Sequence, residues 1–171
     1  MLYFPCTTIS PMAVDSMEEA LEKRLVLEPI GWVRNGISDS QDVIWEEIES
    51  QVVIEESFSE ALEGLEEFSH IIVLFWLHRK REEPPPLKIR PEMREDMPLV
   101  GVLATRAPVR PNPIGLTAVE LLERQGNTLR VRGLDAYDGT PVLDIKPYLP
   151  QGDLVEKVRV ASWVKRLWES L

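Results

Sequence analysis

A mainly β chain, closing into a small antiparallel β-barrel with short peripheral helices, is predicted by three features of the sequence. Short apolar stretches are broken repeatedly by turn residues, among them Asn35-Gly36, Gln125-Gly126-Asn127 and Asp138-Gly139, the pattern of strands joined by tight connections. Helical signals are short and lie mostly near the two ends. The 9 glycines never form a G-x-G-x-x-G after a strand, so a doubly wound nucleotide-binding sheet is not indicated. At 171 residues and 44% apolar content, the chain is long enough for one packed core. The predicted organisation is a tail and short helix over 1–24, then a barrel domain with a short C-terminal helix over 25–171.

Taken in order, Met1 to Ser10 show no period and read as a tail, and Ser16-Met17-Glu18-Glu19 fits a capping box ahead of a short helix. Leu25 to Val33 reads as the first strand, with Gly31 placed for a bulge or a close approach of backbones. Gln51 to Glu55 is the second strand, and Ser59 to Glu67 a short acidic helix capped by Ser59. His70 to His78 is continuously apolar between its histidines, which predicts a strand buried on both faces. After it, 79–91 is a proline-rich, basic, extended insertion. Leu99 to Thr105 reads as a strand. Leu116 to Arg124 and Thr128 to Leu134 form a hairpin about Gly126, Thr140 to Tyr148 is a further strand with Asp144 and Lys146 on one side, and Ser162 to Ser170 is a helix burying Trp163, Leu167 and Trp168.

Composition narrows the function classes. The single Cys6 excludes an internal disulfide framework and a thiolate zinc cluster and fits a reducing cytoplasm. His70 and His78, on one strand, would stand roughly 26 Å apart at about 3.3 Å per residue, so one metal ion cannot bind both and no metal is expected. The longest apolar run, Ile71 to Leu77, is far too short to span a membrane, and the N-terminus lacks a signal-type pattern. A soluble, cytoplasmic protein is expected. Net charge is -10, but residues 1–78 carry 3 Lys+Arg against 16 Asp+Glu, and residues 79–171 carry 16 against 13. Such asymmetry can orient a charged partner, although a solvated acidic face is its commoner meaning.

The most distinctive stretch is Thr105-Arg106-Ala107-Pro108-Val109-Arg110-Pro111-Asn112-Pro113-Ile114-Gly115-Leu116. Its prolines fix φ and bias each preceding residue to extended geometry, giving a stiff loop that loses little entropy when held in shape. Arg106 and Arg110, with the backbone donors of Asn112, Ile114 and Gly115, suit an anionic group such as a carboxylate or phosphate. A rigid turn with surface ion pairs is the alternative on residues alone.

Together with Phe68-Ser69-His70-Ile71-Ile72-Val73-Leu74-Phe75-Trp76-Leu77-His78 and Asp138-Gly139-Thr140-Pro141-Val142-Leu143-Asp144-Ile145-Lys146-Pro147-Tyr148, this loop resembles the TsaA-like, or TrmO, family over roughly Leu25 to Asp153. The resemblance implies a small β-barrel that binds S-adenosylmethionine and methylates the exocyclic nitrogen of threonylcarbamoyladenosine beside the tRNA anticodon. It places His78, Arg79, Arg106, Leu116, Asp138, Gly139, Thr140 and Pro141 at the cofactor, with Arg106 answering the methionine carboxylate and the turn's backbone and Leu116 the adenine. Arg110 and Asn112 either hold the loop or face the substrate, and Lys80 and Arg81, with Lys88 and Arg90, are candidates for an RNA backbone. Two departures stand out. Ala107 replaces the family's usual serine, and the segment after Asn35-Gly36 lacks its usual proline and glutamine, so no cofactor contact is assigned there.

Methyl transfer from a sulfonium is an in-line displacement, so positioning can supply up to roughly 7–11 kcal/mol of the rate effect and a base is optional. Asp138 is the candidate catalytic acceptor, polarising the weakly nucleophilic N–H; an Asp-Gly turn residue bonding its own backbone is the competing reading. Transfer to another nucleoside or small molecule, and a non-catalytic cofactor-binding module, are the alternative functions. The large aromatic surface of Trp45, Trp76, Trp163 and Trp168 predicts a homodimer.

Overall fold

The computed structural model describes residues 25–39, 43–79 and 84–169. Cys6, the predicted N-terminal helix, Lys80 and Arg81 lie outside the described residues. Eight strands, β1 (Gly31–Arg34), β2 (Glu49–Ile54), β3 (His70–Trp76), β4 (Lys88–Ile89), β5 (Val100–Gly101), β6 (Ile114–Gln125), β7 (Thr128–Arg132) and β8 (Pro141–Pro147), precede two short helices, α1 (Pro150–Asp153) and α2 (Ser162–Trp168). Six strands close into a barrel in the order β1-β2-β7-β6-β3-β8, every neighbouring pair antiparallel; β4 and β5 form a separate two-stranded sheet. The predicted mainly β barrel is therefore the observed fold.

Alternating side chains fill the interior. Val33, Val52, Ile71, Val73, Leu129 and Val142 are fully buried, as expected when every second residue of a closed sheet points inward. Gly31 lies where β1 and β2 approach so closely that a Cβ would stand 2.3 Å from the Val53 carbonyl oxygen, the close approach predicted for it. On the outer surface Glu49 bridges Arg130 and Arg132 at 3.0 Å each, Glu120 pairs Arg132 at 2.8 Å and Glu123 pairs Arg130 at 3.3 Å. This exposed ladder spans β2, β7 and β6 and favours their register more than it adds stability. Lys146 pairs with Asp144 on the same side of β8 at 2.7 Å, again a surface match.

Several predicted elements are corrected. The first strand starts at Gly31, not Leu25: Pro29 offers no N–H, and the first amide to join β8 is that of Ile30, which donates to the Val142 carbonyl at 2.8 Å. Ser59 to Glu67 is not an α-helix but two 3-10 segments, Glu56–Leu62 and Leu65–Glu67, separated at Gly64 with φ 82°, and Ser59 lies inside the first as no cap. Leu99 to Thr105 yields only the two residues of β5 before a 3-10 turn, Val102–Ala104, closed by the Thr105 hydroxyl donating to the Val102 carbonyl at 2.7 Å. β3 is buried on one face: Ile71, Val73 and Phe75 point into the core, while Ile72, Leu74 and Trp76 on the outer face keep partial solvent contact. In α2, Trp163 and Leu167 are half-buried and Trp168 is 62% exposed.

Register fixes where the connections emerge. Arg34 pairs with Gln51, Glu49 with Arg132, Trp76 with Ile114 and Phe75 with Val142. Hence β1, β3 and β7 end, and β2, β6 and β8 begin, at the same end of the barrel. Connections 35–48, 77–113 and 133–140 all issue there, while the acidic 55–69 segment and the β6–β7 hairpin close the other end.

Candidate active site

Every described candidate site residue lies on these three connections or within three residues of them, so one barrel mouth collects segments from residue 35 to residue 141. His70 stands at the far end beside Tyr148, with ring centroids 6.5 Å apart. His78 is exposed on the mouth side, just past β3.

Asp138 locks two of the connections together. Its Oδ1 accepts the amide N–H of Asn35 at 2.9 Å and of Gly36 at 3.1 Å, and its own amide donates to the Ile37 carbonyl at 2.9 Å. The Asn35 side chain completes the clamp, donating to the Ser50 hydroxyl at 3.0 Å and the Ala136 carbonyl at 2.9 Å. The Gly36 and Asn35 amides hold the Asp138 carboxyl below the usual carboxylate range, helped by Arg34, whose nitrogen is 3.9 Å away, and by Arg79. A carboxyl held low is a weak base. Asp138 thus bonds backbone, as the competing turn reading anticipated, but the backbone of a distant loop instead of its own. The following turn is equally committed, with the Gly139 amide donating to Val33 at 2.8 Å, that of Thr140 to Tyr137 at 3.1 Å, Thr140 buried and Pro141 opening β8.

Arg79 ties the other side of the mouth. One guanidinium nitrogen donates to the Ser38 carbonyl at 2.5 Å, and its Cζ lies 4.6 Å from the centre of the Tyr137 ring. Tyr137 in turn meets Trp45 edge to face at 5.8 Å. A cation on an aromatic face beside a second aromatic ring makes a semi-apolar wall. Trp45, counted in the sequence among the large aromatics expected at a dimer interface, belongs to this wall.

The proline-rich loop is held from within. The Ala107 amide donates to the Thr105 hydroxyl at 3.2 Å, and Arg110 donates to the Thr105 carbonyl at 3.2 Å. Arg110 therefore fastens the loop, and Ala107, lacking a serine hydroxyl, still anchors it through its backbone. Of the donors expected to be open, the Ile114 amide is taken by the Asn112 carbonyl at 2.8 Å. Arg106 is exposed and makes no hydrogen bond among the described residues. Gly115 backs the loop where a Cβ would stand 2.4 Å from the Phe75 ring. Leu116, by contrast, faces the outside of the barrel opposite Leu74 and is 53% exposed.

Asp135 escaped the sequence reading. Its carboxylate accepts the Thr117 hydroxyl, and the charges of Arg106 and Glu46 act on it in opposite directions. Asp135 is exposed, yet partial desolvation by the neighbouring protein pushes its carboxyl above the usual range, against the Thr117 bond, its own backbone amide and Arg106. The one available signal was a lone acid between apolar Leu134 and Ala136, both buried in the structure.

Residues 35–154 match the family profile of the tRNA-methyltransferase O N-terminal domain. A probable S-adenosyl-L-methionine-binding protein of Pyrococcus abyssi is 45% identical over 143 residues, 81% of this chain and 75% of its own length. A Mus musculus tRNA (adenine(37)-N6)-methyltransferase is 34% identical over 165 residues, 91% of this chain but 38% of the mouse protein. The crystal structure of TrmO from Pseudomonas aeruginosa superposes with a TM-score of 0.63 at 34% identity, covering 80% of this chain and 62% of that one. The chain thus spans less than two thirds of the length of that solved structure. With the profile covering most of the chain and the barrel matching, the chain belongs to the TrmO family.

Proposed function

We propose that this barrel binds S-adenosylmethionine at the mouth formed by 35–48, 77–113 and 133–140 and methylates the exocyclic nitrogen of threonylcarbamoyladenosine in tRNA. The carrying observation is the convergence of His78, Arg79, Arg106 and Asp138 to Pro141 on that one end of the barrel; the relatives named as an S-adenosyl-L-methionine-binding protein in Pyrococcus abyssi and as a tRNA (adenine(37)-N6)-methyltransferase in mouse support the cofactor and a tRNA acceptor. The side chains present fit the cofactor. Arg106 offers a guanidinium to a carboxylate, and Arg79, Tyr137 and Trp45 offer a semi-apolar wall. When bound, S-adenosylmethionine supplies an electrophilic methyl group on a sulfonium. The protein's share is to hold Arg106 on a pre-stiffened loop, so that little order is lost on binding.

Charge placement supports an RNA partner despite the net charge of -10. Glu55, Glu56, Glu60, Glu63, Glu66 and Glu67 lie at the end opposite the mouth, while Lys88, Arg90, Arg106 and Arg110 lie on the mouth connections. Asp39, Glu46, Glu47, Glu92, Glu95, Asp96, Asp135 and Asp138 also lie on the mouth connections, so the mouth is not basic as a whole and the acidic segment does not face away as a whole. We infer modest, salt-sensitive tRNA binding through the local basic patch. A second copy of the chain is the other partner inferred, seated on the outer face of β3 and β6. There Ile72, Leu74, Trp76, Ile114 and Leu116 form an apolar stripe that no helix covers among the described residues.

Mass spectrometry of tRNA nucleosides from cells with and without the gene tests the acceptor. Loss of N6-methylated threonylcarbamoyladenosine on deletion supports the reading, and an unchanged nucleoside profile contradicts it. Charge reversal at Lys80 and Arg81 should flatten the salt dependence of tRNA binding; an intact slope favours a small-molecule acceptor.

A further inference from the structure

We propose that Asp135 is the group that takes the proton from the nitrogen being methylated, with Thr117 holding its carboxylate in position; this rests on the methyltransferase reading above. Asp135 lies at the mouth, on the 133–140 connection, between the buried side chains of Leu134 and Ala136. Those two anchors fix its backbone. The Ala136 carbonyl is itself held by the Asn35 side chain at 2.9 Å. Thr117 shares the inward parity of Val119 on β6, opposite Val73, so its hydroxyl reaches Asp135 from the inner side of the mouth.

Of the two carboxylates on this connection, Asp138 has its Oδ1 taken by the backbone amides of Asn35 and Gly36 and its Oδ2 faced by Arg34 at 3.9 Å, which together favour its ionised, weakly basic form. Asp135 accepts only from the Thr117 hydroxyl and its own backbone amide among the described residues, which leaves lone pairs open. The charged groups acting on it are Arg106 on the proline-rich loop and Glu46 on the 35–48 connection. Arg106 is also the residue proposed to hold the donor's carboxylate, so base and donor anchor share one neighbourhood. Burial strengthens the base by pushing its carboxyl upward.

The step balances as an in-line displacement. The exocyclic nitrogen forms a bond to the methyl carbon while the sulfur–methyl bond breaks, and the bonding pair stays on sulfur as a neutral thioether. The N–H proton passes to the Asp135 carboxylate, which returns it to water at the mouth.

The test compares wild type, Asp135→Asn and Thr117→Val in three measurements: S-adenosylmethionine affinity by calorimetry, methyl transfer to threonylcarbamoyladenosine-containing tRNA against pH, and the Asp135 carboxyl titration in ligand-free protein by carbon-13 NMR. Asp135→Asn should keep cofactor affinity within about twofold and lower kcat by about 10²–10⁴-fold, the usual span for a lost base. Thr117→Val removes a bond that favours the ionised form, so the Asp135 titration and the acid limb of kcat should both move to higher pH. If Asp135→Asn loses cofactor affinity instead, Asp135 is a cofactor ligand and the proposal is overturned. Unchanged kcat in folded Asp135→Asn also overturns it. Wild type that binds cofactor but methylates no tRNA defeats the acceptor reading and this proposal with it, whereas active wild type with an indifferent Asp135 defeats this proposal alone.

Discussion

Asp138 accepts the Asn35 amide N–H at 2.9 Å across 103 residues of sequence, and this bond joins the first and last connections of the barrel mouth. The anionic form is the one stabilised, chiefly by the Gly36 and Asn35 amides. Because the folded carboxyl is lowered, its contribution to stability is present above the unfolded value of about 3.9 and is lost as pH falls through the folded value. Asp138→Asn should therefore melt below wild type at pH 7, by the equivalent of about 1–2 kcal/mol after allowing for solvent screening. The gap should close in acid. Thermal melts from pH 7 to pH 2 check this, and a gap independent of pH contradicts it.

Arg106 carries no hydrogen bond among the described residues and sits on a loop fastened by others. Arg106→Ala should weaken S-adenosylmethionine binding by about 1.5–3 kcal/mol, the worth of a charge-assisted hydrogen bond, with little change in melting temperature. Calorimetry and melting together decide. A sharp loss of stability with normal affinity would make Arg106 structural.

Gly115→Ala places a Cβ 2.4 Å from the Phe75 ring, closer than packed atoms tolerate. The expected cost is about 1–3 kcal/mol, as for other overpacked sites. Phe75→Leu in the same chain should recover part of it, because the ring is what the methyl meets. Urea unfolding of the single and double variants checks the coupling, and strict additivity contradicts it.

The apolar stripe on β3 and β6 should pair two copies. Light scattering is expected to give twice the chain mass of 19.6 kDa, and Ile114→Glu, on a side chain 37% exposed, should return the monomer mass. A monomer at micromolar wild-type concentration contradicts the pairing.

What was legible in the sequence was whatever local chemistry enforces. Prolines 108, 111 and 113 announce the stiff loop, Asp138-Gly139 announces the turn, and Gln125-Gly126-Asn127 announces the hairpin. Misreadings arose where tertiary context decides. The apolar run of β3 looks buried on both faces, but the described residues put no helix layer over the barrel, so one face stays half open. Leu99 to Thr105 has strand-like residues, yet the Thr105 hydroxyl turns the chain back at Val102. Asp135 was only faintly marked, by its apolar neighbours Leu134 and Ala136, because its partner Thr117 lies across the hairpin, 18 residues earlier.

The most direct measurement is transfer of isotope-labelled methyl from S-adenosylmethionine to purified tRNA bearing threonylcarbamoyladenosine, read by nucleoside mass spectrometry. The label should appear on the exocyclic nitrogen of that nucleoside without added metal, and should be strongly diminished with Arg106→Ala at subsaturating cofactor. Cofactor binding with no label in any tRNA nucleoside would contradict the account.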